Sequence, residues 1–211
     1  TLIQHLESSY GTFVPQSGMV SITNSLFGLA KRLGVKFSFE KEIKEIIVKS
    51  SIVTGVKTQS HSYFSDYVIS NMDIFNTYKK LLPKKASPIK RINQERSSSA
   101  VIFYWGIRQS FPELDLHNIL FSNDYKKEFQ AIFKEKAVSD DPTIYINITS
   151  KDINGDAPEG SENWFVMINT PADHGQDWPK IVNNLRDIII TKISKLLGVD
   201  IKDLIVCEEI L

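Results

Sequence analysis

Ala100-Val101-Ile102-Phe103-Tyr104-Trp105-Gly106-Ile107 is the stretch on which the reading of the fold turns. Apolar and aromatic residues occupy both alternating sets of positions, so the pattern predicts a strand with both faces covered. Downstream, a strand is expected near 117–121 and a helix from about 124 to 136, with Tyr125, Phe129, Ile132 and Phe133 on one face. Strands near 143–148 and 163–169 flank the loop Ser150–Ser161. A long helix over 177–197 carries Ile181, Leu185, Ile188, Ile189 and Leu196 and stops at Gly198, and Leu204-Ile205-Val206 reads as a further strand.

Upstream, residues 84–96 form a connector marked by Pro83 and Pro88. It holds Lys84, Lys85, Lys90, Arg91 and Arg96 against Glu95 alone, a local surplus of four positive charges. A short helix is expected over 73–81. Before it come β-like runs at 43–49 and 52–58 with Ser50-Ser51 as their turn, then Tyr63-Phe64 and Tyr67-Val68-Ile69. Val35, Phe37 and Phe39 alternate as a strand. Ile22, Leu26, Leu29, Ala30 and Leu33 mark one face of a helix over 19–33, opened by Ser17-Gly18 and ended by Gly34. Residues 1–16 read as short and turn-rich. The fold class is α+β, a mixed and largely antiparallel sheet with packed helices.

The 211 residues, 42% hydrophobic and 24% charged, suit one sizeable core or two small ones. The formal net charge of +0 creates no field that would favour nucleic acid. Cys207 is the one cysteine, so no disulfide forms within the chain. No apolar run approaches the ~18–20 residues of a membrane span. Thr1-Leu2-Ile3-Gln4-His5 has no initiator methionine and no signal-like core, and both ends read as cut edges of a longer chain.

Catalytic motifs are mostly missing. His5, His61, His117 and His174 stand apart, without the spacing of metal ligands, so no metal is expected. There is no G-x-G-x-x-G, P-loop, G-x-S-x-G or H-E-x-x-H pattern. Three features remain. Ser17-Gly18 at the mouth of the 19–33 helix suits an anion such as a pyrophosphate, and suits equally an ordinary N-cap with a turn glycine. The aromatics Phe103, Trp105, Phe121, Phe129, Phe133 and Trp164, with Tyr104, Tyr125, Tyr145 and Phe165 among them, could line a tunnel for a long apolar ligand or fill a core. The basic connector suits an anionic membrane surface or plain solvent. Asp140, Asp141, Asp152 and Asp156 read as turn and cap formers.

The order of segments resembles the phytoene dehydrogenase (carotenoid desaturase) family of FAD-dependent oxidoreductases over nearly the whole chain. Gly11-Thr12-Phe13-Val14-Pro15-Gln16-Ser17-Gly18-Met19 looks like that family's aromatic, proline, Gly-Gly-Met stretch, with Ser17 in place of the first glycine. Leu29-Ala30 to Leu33-Gly34-Val35, Ile43 to Ile46, Gly55-Val56 and Ser65 through Asp73 follow in family order. So do Phe103-Tyr104-Trp105-Gly106, Leu116-His117-Asn118-Ile119, where many members have a His-His pair, Asp141 through Ile146, and Asp156-Ala157-Pro158-Glu159-Gly160. Within the family the likeness runs to bacterial carotenoid desaturases, including the subgroup acting on hydroxylated carotenoids at the 3,4 bond.

The resemblance implies a flavoenzyme that removes hydrogen from a long polyene, as hydride to the flavin and a proton from the neighbouring carbon. It implies a substrate domain over 1–16 and 74–205, part of a FAD-binding domain over 17–73, and a return to the FAD domain over 206–211. Gly18, Met19, Ile43 and Asn71 would contact FAD, and Phe103, Trp105, His117, Phe121, Phe129, Phe133 and Trp164 would face the carotenoid. No residue is assigned as acid or base. Most of the flavin site would lie outside this chain, so FAD is not expected on it alone and its isolated activity should be nil. The full-length protein would be cytoplasmic and peripheral to a bacterial membrane. A carotenoid isomerase or retinol-saturase-like enzyme shares the same segments, and a non-enzymatic module binding an apolar ligand is the reading from a different class.

Overall fold

The structure, a computed structural model, describes residues 2–83 and 88–211, and for residues 89 and 91 the backbone only. Lys84 and Lys85 of the basic connector therefore lie outside the described residues. The chain divides into two compact units, Thr1–Leu26 with Arg96–Leu211, and Phe27–Glu95. Both sheets are antiparallel throughout, one in each unit.

The larger unit is organised by the strand β4 (Ser99–Ile107). It pairs along its whole length with β7 (Glu162–Thr170), from Ser99 opposite Thr170 to Ile107 opposite Glu162. With β5 (His117–Leu120), β6 (Ile144–Asn147) and β8 (Ile205–Ile210) the sheet order is β5-β6-β7-β4-β8. Because strand side chains alternate, each strand sends every second residue to one face. Val101, Phe103, Trp105 and Ile107 of β4 meet Trp164, Val166 and Ile168 of β7 and Ile144 and Ile146 of β6 there. The helix α6 (Trp178–Leu197) supplies Leu185, Ile189, Ile190 and Ile193 to the same core, at the helical spacing that makes a single apolar stripe. Asp177 caps α6 by accepting the Lys180 N–H, and the helix stops at Gly198. A shorter helix, α5 (Tyr125–Gln130), runs on into one wider turn over Ala131–Glu135.

A buried carboxylate ties the loops to this core. Glu162 is 3% exposed and accepts from the Phe111 N–H at 2.8 Å, the Ser110 hydroxyl at 2.9 Å, the Trp164 indole N–H at 2.8 Å and the Lys151 ammonium at 2.7 Å. Burial opposes its ionisation. The Lys151 ammonium and the three neutral donors outweigh that and hold its carboxyl below the ordinary value near 4.5.

In the smaller unit β1 (Glu45–Lys49), β2 (Ile52–Lys57) and β3 (Ser62–Phe64) form a meander. Ser50 and Ser51 make the two-residue turn with φ of 48° and 66°, as a tight hairpin demands. Gly55 is required by proximity, since a Cβ there would stand 2.0 Å from the Tyr63 carbonyl oxygen. Two helices frame the sequence around this unit: α2 (Val20–Arg32), which crosses the boundary between units, and α3 (Ile74–Asn76), capped by Asp73.

The structure corrects the sequence reading at several points. Residues Leu2–Tyr10 are not turns but the helix α1, with Leu2, Ile3, Leu6 and Tyr10 at helical spacing and the Gly11 N–H returning to the Glu7 carbonyl at 3.0 Å. Val35, Phe37 and Phe39 pair with no strand among the described residues; Phe37 and Phe39 gather instead on Phe27, at ring distances of 4.4 and 6.0 Å. Tyr67-Val68-Ile69 likewise has no partner strand among the described residues, and Ile69 is 96% exposed. An apolar, β-branched run is no strand until another backbone takes its hydrogen bonds. Finally, β4 is covered on one face only, and Tyr104 on the other is 42% exposed.

Ile193 has no exposed surface and packs where α6 meets the sheet, so Ile193→Ala should cost about 2–5 kcal/mol by urea denaturation, as buried truncations do. The Glu162 carboxylate favours the folded state, because its folded value lies below its ordinary one. That contribution is complete above about pH 4.5 and is lost as the pH falls through the folded value. Urea midpoints should therefore fall more steeply below pH 4.5 for the unsubstituted protein than for Glu162→Gln.

Candidate functional site

The face of the five-stranded sheet away from α6 is the candidate site. Strand pairing builds it in rows. Tyr104 of β4 lies opposite Phe165 of β7, Phe165 opposite Asn147 of β6, and Asn147 opposite His117 of β5. The next row holds Ile102, Met167, Tyr145 and Ile119. With strands about 4.8 Å apart, the row from Tyr104 to His117 is about 14 Å wide. The rings interlock edge to face, Tyr104 on Phe165 at 5.5 Å and 79°, and Tyr145 on Phe165 at 6.3 Å and 71°. His117 stacks on Tyr145 at 6.0 Å and 21°. Burial pushes the Tyr145 phenol above its ordinary value, so it stays protonated.

A cavity of about 570 Å³ opens over one side of this face, with Tyr104, Gly106, Asn147, Phe165 and Cys207 on its floor and Pro158 on its wall. The wall is held by Asn163, whose amide donates to Thr149 Oγ1 at 2.7 Å, while the Thr149 hydroxyl donates to Asp156. Asn163 Oδ1 accepts the Ser150 N–H at 2.9 Å.

The residues marked from sequence fall into different places. Phe103, Trp105 and Trp164 are at most 2% exposed and lie on the face under α6, where they fill the core. Trp105 donates its indole N–H to Glu208 at 2.6 Å, and Arg186 donates to the same carboxylate at 2.7 Å. His117 is on the open face. Phe121, Phe129 and Phe133 form with Tyr125 a ladder along α5, at successive ring distances of 6.0, 4.8 and 5.8 Å. Its outer rungs are exposed, Phe121 by 63%. Phe121 also borders a groove of about 1090 Å³ between the β5 edge and α6. Tyr104, Tyr145 and Phe165 share the aromatic density of the sequence but were not separable there from the core aromatics. The usable signal was parity, since Asn147, Asn163 and Asn169 fall in their alternation on β6 and β7.

The four residues marked for a cofactor are divided between the units, two in each. In the larger unit Gly18 (φ +73°) has only Ile153 near the place of a Cβ, at 3.5 Å, and Met19 is 66% exposed. Helix α2 begins at Val20, so Ser17 does not cap it; the first-turn N–H groups of Ser21 and Ile22 already bond to Gly18 and Met19 carbonyls. In the smaller unit the peptide groups of half-buried Ile43 and the side chain of exposed Asn71 make no hydrogen bond among the described residues. Among the described residues no three His, Cys, Asp or Glu side chains gather to hold a metal ion.

No family model matches the chain. Curated proteins do. It is 52% identical to the 1-hydroxycarotenoid 3,4-desaturase of Flavobacterium sp. (strain P99-3), over 100% of this chain and 43% of that protein. It is 30% identical to the phytoene desaturase of Fusarium fujikuroi, over 97% of this chain and 40% of that protein. It is also 30% identical to the 4,4'-diaponeurosporene oxygenase of Staphylococcus aureus (strain bovine RF122 / ET3-1), over 100% and 43%. The chain belongs to the carotenoid desaturase family. It spans about two fifths of the length of these carotenoid desaturase relatives. A solved oxidoreductase from Methanosarcina mazei shares the fold, with a TM-score of 0.59 at 16% identity, covering 99% of this chain and 46% of that one.

Proposed function

We propose that the full-length protein is a FAD-dependent carotenoid desaturase, and that the open face of the five-stranded sheet is part of the wall against which the polyene lies. The observation that carries this is the interlocked row Tyr104, Phe165 and Tyr145, flanked by Ile102, Met167 and Ile119. It is broad, apolar and rigid, as a wall for a stiff conjugated chain must be.

The flavin, when bound, supplies the acceptor for hydrogen taken from adjacent carbons. The peptide groups of Ile43 and the side chain of Asn71, which make no hydrogen bond among the described residues, would offer contacts to such a cofactor. Tyr104, Tyr145 and Phe165 fix the plane of the polyene and exclude water from it. Ring packing between strands leaves these side chains little freedom, so the substrate is oriented without ordering the wall each time. The larger unit, 1–26 with 96–211, takes the role of substrate domain, and 27–95 that of a flavin-domain segment.

A carotenoid resides in a bilayer, so the full-length protein is read as peripheral to a membrane on the cytoplasmic side. Among the described residues no helix is long and apolar enough to cross one. The exposed rungs Phe121, Tyr125 and Phe133 give a surface that suits the lipid boundary.

Purified full-length protein should carry flavin absorbance and convert an acyclic carotenoid to a product lighter by two hydrogens, absorbing at longer wavelength. A product of unchanged mass would instead mark an isomerase, one with added oxygen an oxygenase, and no product with any carotenoid would overturn the reading. Replacing Phe121 and Tyr125 together by serine should lower co-sedimentation with phospholipid vesicles and leave the thermal melt in place, because neither side chain belongs to the core.

A further inference from the structure

The helix α5, with the wider turn that follows it, presents a surface that neither the core nor the open face uses. Glu128 and Ile132, each 1% exposed, fix its inner side, and Glu128 accepts the Thr143 N–H at 2.9 Å and the Thr143 hydroxyl at 2.6 Å. Tyr125, Phe129 and Phe133 recur every fourth residue and form one ridge along its flank, which Phe121 prolongs. Lys126 and Lys134 each follow a ring of that ridge by one residue and are exposed, as is Lys127. None of these three lysines makes an ion pair among the described residues. Against them the segment 121–136 exposes two carboxylates, Glu135 and Asp124, of which Asp124 caps the helix by accepting the Lys127 N–H at 2.9 Å. Lys136 adds a fourth ammonium, 2.6 Å from the Phe133 carbonyl.

Exposed rings edged by free ammonium groups match an anionic bilayer surface. The aromatic bodies enter the boundary, and the lysines, on long apolar stems, keep their charges among the headgroups. An acidic protein would also attract the lysines, but the course of the apolar surface favours the bilayer. Phe121 and Ile119 line the groove beside α5, and Ile119 stands in the row with Tyr145 on the open face. Apolar surface therefore leads from the ridge to the wall proposed for the polyene. Within the groove Asp141 is paired with Lys192, and Asp140 and Asp187 outnumber Lys195, so the attraction for anions is confined to α5.

Resting on the membrane-peripheral reading above, we infer that Lys126, Lys127 and Lys134, with the rings of Tyr125 and Phe133, form the docking surface for an anionic phospholipid leaflet. Charge, and not apolar contact alone, then selects the membrane surface on which the protein sits.

The test uses full-length, flavin-loaded protein and two kinds of vesicle, phosphatidylcholine alone and phosphatidylcholine mixed with phosphatidylglycerol. Partition into the mixed vesicles should be the stronger, and the advantage should shrink as salt is raised. A lysine near the surface is worth about five-fold in partition, so Lys126→Gln with Lys134→Gln should lower binding to the mixed vesicles roughly 25-fold. The same pair should leave binding to phosphatidylcholine and the thermal melt in place, and Lys126→Arg with Lys134→Arg should bind as the unsubstituted protein does. Tyr125→Trp should add fluorescence, beyond that of the unsubstituted protein, that a brominated phospholipid quenches. Equal partition into the two vesicles, or an anionic preference that survives the glutamine substitutions, overturns the proposal and leaves the peripheral reading standing. So does added Tyr125→Trp fluorescence that the brominated lipid leaves unquenched, which puts another part of the protein over the ridge. Binding to neither vesicle removes the peripheral reading and the docking surface with it.

Discussion

The docking of α6 on one face of the five-stranded sheet is the contact on which the larger unit depends. Leu185, Ile189, Ile190 and Ile193 form one stripe, and the strands answer with Val101, Phe103, Trp105, Ile144, Val166 and Ile168. Strand side chains alternate without exception along an unbroken ladder, so covering one parity uncovers the other everywhere at once. The choice made by a single helix thus assigns Phe103 to the core and its neighbour Tyr104 to the open face. A one-residue slip of β4 against β7 would exchange them and destroy core and site together.

The network at Glu162 extends this constraint into the loops. One buried carboxylate gathers the chain at Ser110 and Phe111, the ammonium of Lys151 and the indole of Trp164. Lys151 adds a bond to the Phe111 carbonyl at 2.6 Å. The segment from Thr149 to Pro158, which walls the cavity, is therefore anchored on the strand whose Phe165 forms the cavity floor. Each donor satisfies a group that would otherwise be buried unpaired, so the loop is held by the cost of leaving the core polar atoms alone.

Much of this architecture was legible in the sequence wherever a local pattern suffices. The 3.6-residue period placed α6, a continuous apolar run placed β4, and Ser50-Ser51 was recognisable as a turn between two apolar runs. Partnership was not legible. Val35 to Phe39 and Tyr67 to Ile69 have the composition of strands, but strand formation is a property of two backbones and neither finds a second among the described residues. The site divided in the same way. His117 was marked through the family resemblance and not through any local pattern. Tyr104, Tyr145 and Phe165 did not stand out from Phe103, Trp105 and Trp164, because core and wall use the same side chains and only the position of α6 tells them apart.

The two uses of aromatics on this sheet follow from opposite requirements. Under α6 the indole N–H groups of Trp105 and Trp164 must be satisfied internally, and each has a carboxylate, Glu208 and Glu162. On the open face the polar atoms need no such closure, and the Tyr145 hydroxyl is paired in a way that leaves capacity over. A buried polar group whose bonds are all made serves the fold. A partly exposed one, such as the Tyr145 hydroxyl on its single bond to His117, keeps capacity for a further partner. That difference in saturation, more than the identity of any residue, separates the wall of the site from the core behind it.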